Sequence, residues 1–293
     1  SNTDGDRYTL PARDLVSSEV ETLAELNRLE GMILLASCDK VVPGMLMGVM
    51  RTNIPSVMLT GGYMSPGSYQ GNMLTLTHTK QAYAAYVEGS MSREDYKQIV
   101  KHACPNAGVC PFMGTANTMC AFAEVLGLSP DGNASVRAQS PQWRQMAVEA
   151  ARKIVELVKD EVRPLSRIGR ASFENAIRYV MATGGSTNSI LHIPAVAAQA
   201  GISITPDMFD EISRKTPLIS AIYPNHPSYT MADFSAAGGL STVIRELAKA
   251  GAWDTSTAGM FDTMQEKIAK AHDSAHDVIR SVQNAISPEG GIA

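Results

Sequence analysis

The sequence predicts an α/β fold, a parallel sheet flanked by helices with additional helices toward the C-terminal end. Two short apolar runs, residues 32–37 and 55–62, have the length and composition of strands. Residues 43–51, between them, have the apolar character of a helix with Pro43 in its first turn. A helix between two strands is the crossover that connects parallel strands. A length of 293 residues allows one large domain or two smaller ones.

The remaining elements follow from apolar spacing and from the positions of glycine and proline. Residues 15–31 carry leucine and valine at helical spacing and end at Gly31, a residue type that commonly terminates helices. Residues 32–37, "MILLAS", are predicted to be a buried strand. Further helices are predicted over residues 77–103, 115–126, 142–160, 172–182, after the glycine-rich stretch 184–188, within 230–253 and around 261–285.

The composition excludes several classes of protein. With 44% hydrophobic and 18% charged residues, the chain is typical of a folded globular protein. A formal net charge of −4 provides no attraction for nucleic acid or an anionic membrane, so we expect a small molecule as the partner. The chain has no apolar run of about 18 residues and no signal peptide at its polar start, which predicts a cytoplasmic location.

A thiol, a carboxylate and an amine stand in consecutive positions at the end of the first predicted strand, at Cys38, Asp39 and Lys40. Ligands collect outside the carboxyl ends of parallel strands. Thiolates prefer iron or zinc and carboxylates prefer Mg²⁺ or Mn²⁺, so these neighbours can serve two different metal centres. The alternative is a structural thiol beside a surface ion pair. Lys40 is a counter-ion, a nucleophile, a base or an amine carbamylated by CO₂.

The other three cysteines differ in their surroundings. Cys110 lies in a tight loop that can present a thiolate to a cluster, whereas Cys120 lies within an apolar helix and is expected in the core. Cys104 fits either role. The spacing is not that of a zinc finger or of a disulfide framework, and a zinc-stabilised structural domain using Cys104, Cys110 and Cys120 is a rival interpretation.

The stretch "GGSTN", residues 184–188, precedes another apolar helix. Ser186 or Thr187 is either an N-cap of that helix or, with the free N–H groups of the first turn, a binding site for a substrate carboxylate. His192 on the same helix is expected to be a packed histidine. This loop resembles in design those at Cys38 and Cys110, and the three together predict one composite site.

Several stretches in order along the chain resemble the dihydroxyacid and 6-phosphogluconate dehydratase family, which includes aldonic sugar-acid dehydratases. They are "RYTLPARDL", "ASCDKVVPGMLMG", "ACPNAGVCPFMGTANTM", "EVLGLSPDGNAS", "ATGGSTNSILHI" and "IRSVQNAISPEGGIA". The resemblance implies a hydro-lyase that converts a 2,3-dihydroxy carboxylic acid into a 2-keto acid. It implies an iron–sulfur cluster, [2Fe–2S] or [4Fe–4S], with Cys38 and Cys110 as ligands. It also implies Mg²⁺ held by Asp39 and a carbamylated Lys40, and a homodimer.

The chain also departs from the family pattern. The family's first cluster cysteine and one acidic Mg²⁺ ligand lie upstream of the "RYTLP" stretch, where Asp4 is only a weak substitute. The family's catalytic serine and a further glutamate ligand belong to a C-terminal β-barrel-like domain. We therefore expect residues 1–293 to form the family's single N-terminal α/β domain, without the C-terminal one, and to be inactive alone.

One departure bears on the substrate. The stretch "CPFMGTANTM" replaces the "CGGMYTANTM" pattern typical of the branched-chain biosynthetic members, which favours a sugar acid slightly over a branched-chain acid. The alternative to an enzyme is a metal-free, catalytically dead binding or regulatory module with the same fold.

Overall fold

The computed structural model describes residues 4–274 and 277–292. It confirms the α/β class, with 53% helix around a small parallel sheet. The elements in chain order are α1 (Thr9–Leu26), β1 (Met32–Ala36), α2 (Val41–Thr52), β2 (Ser56–Thr60), β3 (Gly67–Tyr69), β4 (Asn72–Leu74), α3 (Leu76–Val87), α4 (Arg93–His102), α5 (Thr115–Val125), α6 (Pro141–Lys159), α7 (Arg170–Thr183), α8 (Ser189–Gln199), α9 (Pro206–Ser213), α10 (Met231–Ala236), α11 (Gly239–Lys249) and α12 (Met264–Lys270).

The parallel sheet consists of β1 and β2, joined by α2 as the predicted crossover. Its register pairs Met32 with Ser56 and continues to Ala36 with Thr60. Just beyond β2, Tyr63 forms parallel bridges to both Val109 and Arg137. Two later loops therefore run beside the carboxyl end of β2, where the sequence predicts the site.

The prediction that β1 is a buried strand is wrong for one of its faces. Leu34 and Ala36 are 5% and 4% exposed, whereas Ile33 and Leu35 are 39% and 63% exposed. In the described part of the chain β1 pairs only with β2, so it is an edge strand. Strand β2, by contrast, is buried at all five positions.

Helix α1 lies directly on α2 because two glycines of α2 face it. A Cβ atom added to Gly44 would lie 2.6 Å from the carbonyl oxygen of Arg13, and one added to Gly48 would lie 2.7 Å from Cβ of Val20. No larger side chain fits between these backbones without a shift. The glycines thus place Arg13 of α1 close to the start of α2, next to the predicted site.

Helix α5 is the central helix of the core. Every residue from Ala116 to Val125 is buried, and the ring of Phe122 lies 6.0 Å from that of Phe173 on α7. Most of its residues are apolar, and its polar side chains Asn117 and Glu124 have hydrogen-bond partners within the protein, so the helix can be covered on all sides. Because the core holds α5 rigidly, its N-terminal end provides a firm base for the loop that carries Cys110.

Several predicted helix bounds are corrected. Helix α1 begins and ends earlier than the predicted 15–31, and the predicted helix 77–103 is two helices. The chain turns between α3 and α4 at Gly89, whose φ of 79° favours glycine. The hairpin of β3 and β4 and helix α9 were not predicted.

The predicted helix 261–285 is also shorter in the structure. Among the described residues of that range, Met264–Lys270 is α-helical and Val282–Asn284 forms a 3₁₀ turn. The helix ends because Ala271 adopts an extended conformation, with φ −70° and ψ 148°. Residues 275–276 of the predicted helix lie outside the described residues. Across the described ranges, none of the helices combines the length and the hydropathy needed to span a membrane.

Candidate metal and substrate site

The segment after β1 forms the N-terminal turn of α2. The N–H of Val42 donates to the carbonyl oxygen of Cys38 at 3.0 Å, and Lys40 is the N-cap residue of the helix. The Asp39 carboxylate contacts both neighbours, with Oδ1 3.4 Å from Cys38 Sγ and Oδ2 3.3 Å from Lys40 Nζ. Thiol, carboxylate and amine therefore occupy one small region at the carboxyl end of the strand, as predicted.

Backbone and side-chain hydrogen bonds bring the Cys110 loop to the same end of the sheet. The N–H of Val109 donates to the carbonyl oxygen of Gly62 at 2.7 Å, just beyond β2. The buried amide of Asn117 on α5 donates from Nδ2 to the carbonyl oxygens of Cys110 at 2.6 Å and Phe112 at 2.7 Å. The loop is thus held from both sides, and it leaves the Cys110 thiol half-buried.

The electrostatics show that these groups act on one another. Burial raises the pKa of the Cys110 thiol, and the negative charge of Cys38 raises it further. Burial also raises the pKa of Cys38, followed by the charge of Asp39. A raised pKa keeps these thiols protonated, and a bound metal ion would favour their deprotonated form.

The remaining cysteines have separate environments. Cys104 is exposed, whereas Cys120 is 1% exposed and lies in the core, as predicted. Burial raises the pKa of Cys120 to about 12, so this thiol stays neutral. Across residues 4–274 and 277–292, no three His, Cys, Asp or Glu side chains are grouped closely enough to hold a metal ion. This holds for Cys104, Cys110 and Cys120 and equally for Cys38, Asp39 and Cys110.

The "GGSTN" loop is tied to the start of α5. Ser186 Oγ lies 2.8 Å from Thr115 Oγ1, which also accepts a hydrogen bond from Asn188 Nδ2 at 2.8 Å. The N–H of Ser186 donates to Thr118 Oγ1 at 3.1 Å. Neither Ser186 nor Thr187 is the N-cap of α8, because the helix begins after Asn188. The GGSTN loop therefore lies beside the N-terminal end of α5, which follows the loop of Cys110.

Hydrogen bonds within this loop leave little of it open to a ligand. The N–H groups of Ser186, Asn188, Ser189 and Ile190 all have partners within the protein. Thr187 is exposed, and for its hydroxyl and N–H the described residues provide no hydrogen-bond partner. Across residues 186–190 the described residues thus leave the N–H of Thr187 without a protein partner, and the binding of a substrate carboxylate by this loop stays a prediction.

His192 is buried as predicted, but it also belongs to the site. Its Nε2 lies 3.4 Å from Lys40 Nζ, and its Nδ1 lies 3.3 Å from Arg13 Nη1. Burial, followed by the positive charges of Lys40 and Arg13, lowers the pKa of His192 to about 4. The sequence analysis did not predict a role for Arg13 or the contact of His192 with Lys40. Arg13 and His192 nevertheless both lie in stretches that carry the family resemblance.

Asp4 does not join this cluster of contacts. Its side chain is 99% exposed, and its carboxylate lies 3.8 Å from the guanidinium of Arg7. An exposed ion pair of this kind contributes little to stability and positions the carboxylate only loosely.

Comparison with known proteins points to one family. The family description "Dihydroxy-acid/6-phosphogluconate dehydratase N-terminal" matches residues 1–267. A protein named "Dihydroxy-acid dehydratase" from Thermodesulfovibrio yellowstonii is 40% identical over 290 residues, covering 99% of this chain and 52% of the relative. Proteins of the same name from Hydrogenobaculum sp. and Methanosphaera stadtmanae are 38% and 37% identical, covering 99% and 100% of this chain. The chain spans about half the length of these curated relatives, 52% and 53% for the last two.

Proposed function

Since this chain belongs to the dihydroxy-acid/6-phosphogluconate dehydratase family, we propose that it is the N-terminal α/β domain of a dehydratase. The reaction would remove water from a 2,3-dihydroxy carboxylic acid and form an enol that tautomerises to a 2-keto acid. The observation that supports this proposal is that the Cys38 thiol contacts the Asp39 carboxylate beyond β1, while the loop of Cys110 is hydrogen-bonded to Gly62 just beyond β2. The names of the relatives support the same reaction class.

The donor set fits the implied metals in kind, although the described residues complete neither site. Cys38 and Cys110 would be ligands of an iron–sulfur cluster, because thiolates prefer iron. Asp39 and a carbamylated Lys40 would be ligands of Mg²⁺, because hard cations prefer oxygen ligands. When bound, these metals supply Lewis-acid chemistry for the loss of the 3-hydroxyl group and charge that holds the substrate carboxylate. In this proposal a third cysteine, a catalytic serine and further acidic ligands belong to other parts of a longer protein.

Thr187 would bind the substrate, and Ser186 would position it. The open hydroxyl and N–H of Thr187 can each donate to an oxygen of the substrate. Ser186 would hold the backbone next to Thr187 in place. Its hydroxyl is hydrogen-bonded to Thr115 Oγ1 and accepts from the N–H of Asn188 at 3.3 Å. The two residues therefore have different roles, although the sequence predicts them together.

The loop that follows Cys110 bears on the class of substrate. Relative to "CGGMYTANTM", this chain has an aromatic residue at Phe112 and none at Gly114. In the structure a Cβ added to Gly114 would lie 2.8 Å from the Phe112 ring. The ring therefore lies against position 114, so the loop keeps an aromatic group there. The changed sequence of this loop favours a sugar acid slightly over a branched-chain acid, and the retained aromatic ring keeps this preference small.

The test is anaerobic reconstitution of the full-length protein with iron, sulfide and Mg²⁺. We would assay 2-keto acid formation from branched 2,3-dihydroxy acids and from aldonic acids. Cys38→Ser and Cys110→Ser should each reduce bound iron and turnover together, with Cys104→Ser as the matched control on an exposed thiol. Lys40→Ala should weaken the dependence on Mg²⁺ and leave the cluster absorbance unchanged.

Other results would contradict the proposal. Unchanged iron content in the Cys38 and Cys110 variants would remove these residues as ligands. Failure of the full-length protein to take up iron would instead favour the metal-free module. We further propose that residues 1–293 are inactive alone and that the complete enzyme is a homodimer. Turnover by the purified 293-residue chain would overturn the first of these statements.

A further inference from the structure

His192 lies between the two cationic side chains of the site. Its imidazole ring is fully buried, with Nδ1 3.3 Å from Arg13 Nη1 and Nε2 3.4 Å from Lys40 Nζ. The three residues come from α1, from the N-cap of α2 and from α8. Arg13 is itself held in place, because its Nε donates to Asp14 Oδ1 at 2.9 Å and its side chain is 13% exposed.

The hydrogen-bonding capacity of Arg13 determines the tautomer of His192. A guanidinium has only donors, so the ring nitrogen that faces it must be the acceptor. The acceptor is Nδ1, and the ring proton of the neutral imidazole is therefore on Nε2. A protonated ring would present N–H groups to two donors at once. The Nε2–H of His192 is consequently directed at the end of the Lys40 side chain.

An ammonium group is a poor match for this donor. It has three N–H donors and no acceptor, so a charged Lys40 and the Nε2–H of His192 would oppose each other. A carbamate on Lys40 presents oxygen acceptors instead. We propose that His192 is a positioning residue that donates from Nε2 to a carbamate on Lys40, with Arg13 fixing the tautomer. This inference rests on the proposed function, which includes carbamylation of Lys40.

Carbamylation of Lys40 needs no reagent other than CO₂. The ammonium of Lys40 first loses a proton to solvent, and the amine lone pair forms an N–C bond to CO₂. The electrons of one C=O bond become a lone pair on the carboxylate oxygen, and the nitrogen releases a second proton. Two groups next to Lys40 Nζ then act on the carbamate. The Nε2–H of His192 can donate a hydrogen bond to it, and the Asp39 carboxylate repels it as a like charge. The donor therefore favours the carbamate, and Mg²⁺ would neutralise the two anions.

The test measures the carbamate directly. The full-length protein with Mg²⁺ is incubated with ¹³C-bicarbonate, and ¹³C NMR records the carbamate signal that Lys40→Arg removes. His192→Phe keeps a ring of similar size without the donor, and it should raise the bicarbonate concentration for half-occupancy about tenfold or more, as expected for one hydrogen bond to a charged group. His192→Gln retains a donor and an acceptor and should restore most of the occupancy. Arg13→Met removes the donor that fixes the tautomer of His192, and it should therefore lower the carbamate occupancy as well. Because Arg13 is less buried than His192, this variant serves if the His192 variants do not fold.

A second measurement examines the ring itself. ¹⁵N NMR of wild-type protein, assigned by difference from His192→Phe, should show the proton on Nε2. A proton on Nδ1, or a carbamate signal equally strong in wild type and in His192→Phe, would overturn the inference and leave the proposed function intact. No carbamate in wild type would overturn both the carbamylation of Lys40 and this inference. Loss of the signal in His192→Phe and Arg13→Met, with recovery in His192→Gln, would support it.

Discussion

The side-chain amide of Asn117 holds two carbonyl oxygens of the loop that carries a candidate cluster ligand. Its Nδ2 donates to the carbonyl oxygen of Cys110 at 2.6 Å and to that of Phe112 at 2.7 Å. Asn117 is 2% exposed and lies in the first turn of the central helix α5. The position of the Cys110 thiol therefore depends on a side chain seven positions later.

Replacing Asn117 with Asp should release this loop. The carboxylate cannot donate, and it would face two carbonyl oxygens. We expect Cys110 to be alkylated by iodoacetamide about tenfold faster, as for the loss of one or two hydrogen bonds. Peptide mass spectrometry measures the rate, with Asn27→Asp as a control that makes the same change on an exposed side chain. An unchanged rate at Cys110 would show that the loop is held by other contacts.

The close contact of α1 and α2 provides a prediction about stability. In Gly48→Ala the new Cβ would lie 2.7 Å from Cβ and Cγ1 of Val20, a branched side chain with little room to move. We expect a loss of about 1–3 kcal/mol in the free energy of unfolding, as for other overpacked contacts. Urea denaturation measures it. Gly291→Ala is the matched control, because nothing lies within 4 Å of its added Cβ, and equal stability of the two variants would contradict the prediction.

The buried carboxylate of Glu124 predicts a dependence of stability on pH. Glu124 accepts hydrogen bonds at 2.7 Å from the N–H groups of Gly132 and Ala134, yet burial raises its pKa from 4.5 to about 7. Lys267 opposes this shift without cancelling it. Because the folded state holds the proton more tightly than the unfolded state, this contribution to stability is complete below pH 4.5 and is lost as pH rises to about 7.

The variant Glu124→Gln isolates this effect because it does not titrate. Between the two ends of that range, wild type should lose up to about 3 kcal/mol of unfolding free energy relative to the variant. The Gln variant will also differ from wild type by a pH-independent amount of unfolding free energy, since its NH₂ group faces a backbone N–H donor. The slope against pH is therefore the quantity to measure, by urea denaturation at several pH values. Parallel curves for wild type and variant would refute the assignment.

Asn133 predicts a further stability effect at the end of β2. Its Oδ1 accepts from the N–H of Thr60 at 2.7 Å and from its hydroxyl at 2.8 Å, and its Nδ2 donates to the carbonyl oxygen of Thr60 at 3.2 Å. Asn133→Ala removes the acceptor of the buried N–H of Thr60 and should cost about 1–3 kcal/mol, whereas the carbonyl oxygen of Thr60 keeps its hydrogen bond from Trp143 Nε1. Asn72→Ala, on an exposed residue of β4, is the control. A loss no larger than that of the control would mean that water or a neighbour replaces Asn133.

The sequence by itself determined the fold class and predicted the residues of the candidate site. Apolar spacing and glycine positions predict β1, α2 and β2 in order, because these features depend on residues close together in the chain. The same local signals place Cys38, Asp39 and Lys40 at a strand end, where parallel strands collect ligands. The tight loop around Cys110 and the family resemblance both predict Cys110, whose loop the structure brings beside β2.

Only the tertiary structure decided which distant residues meet. Lys40 and His192 are 152 positions apart, and no local pattern relates their side chains. The exposure of Leu35 depends on whether another element covers β1, and the engagement of Ser186 depends on Thr115 of a different helix. Periodicity shows which face of an element is apolar, but it carries no information about the partner of that face. The partner is selected when the whole chain packs, and so the contacts of His192 could be found only in the folded protein.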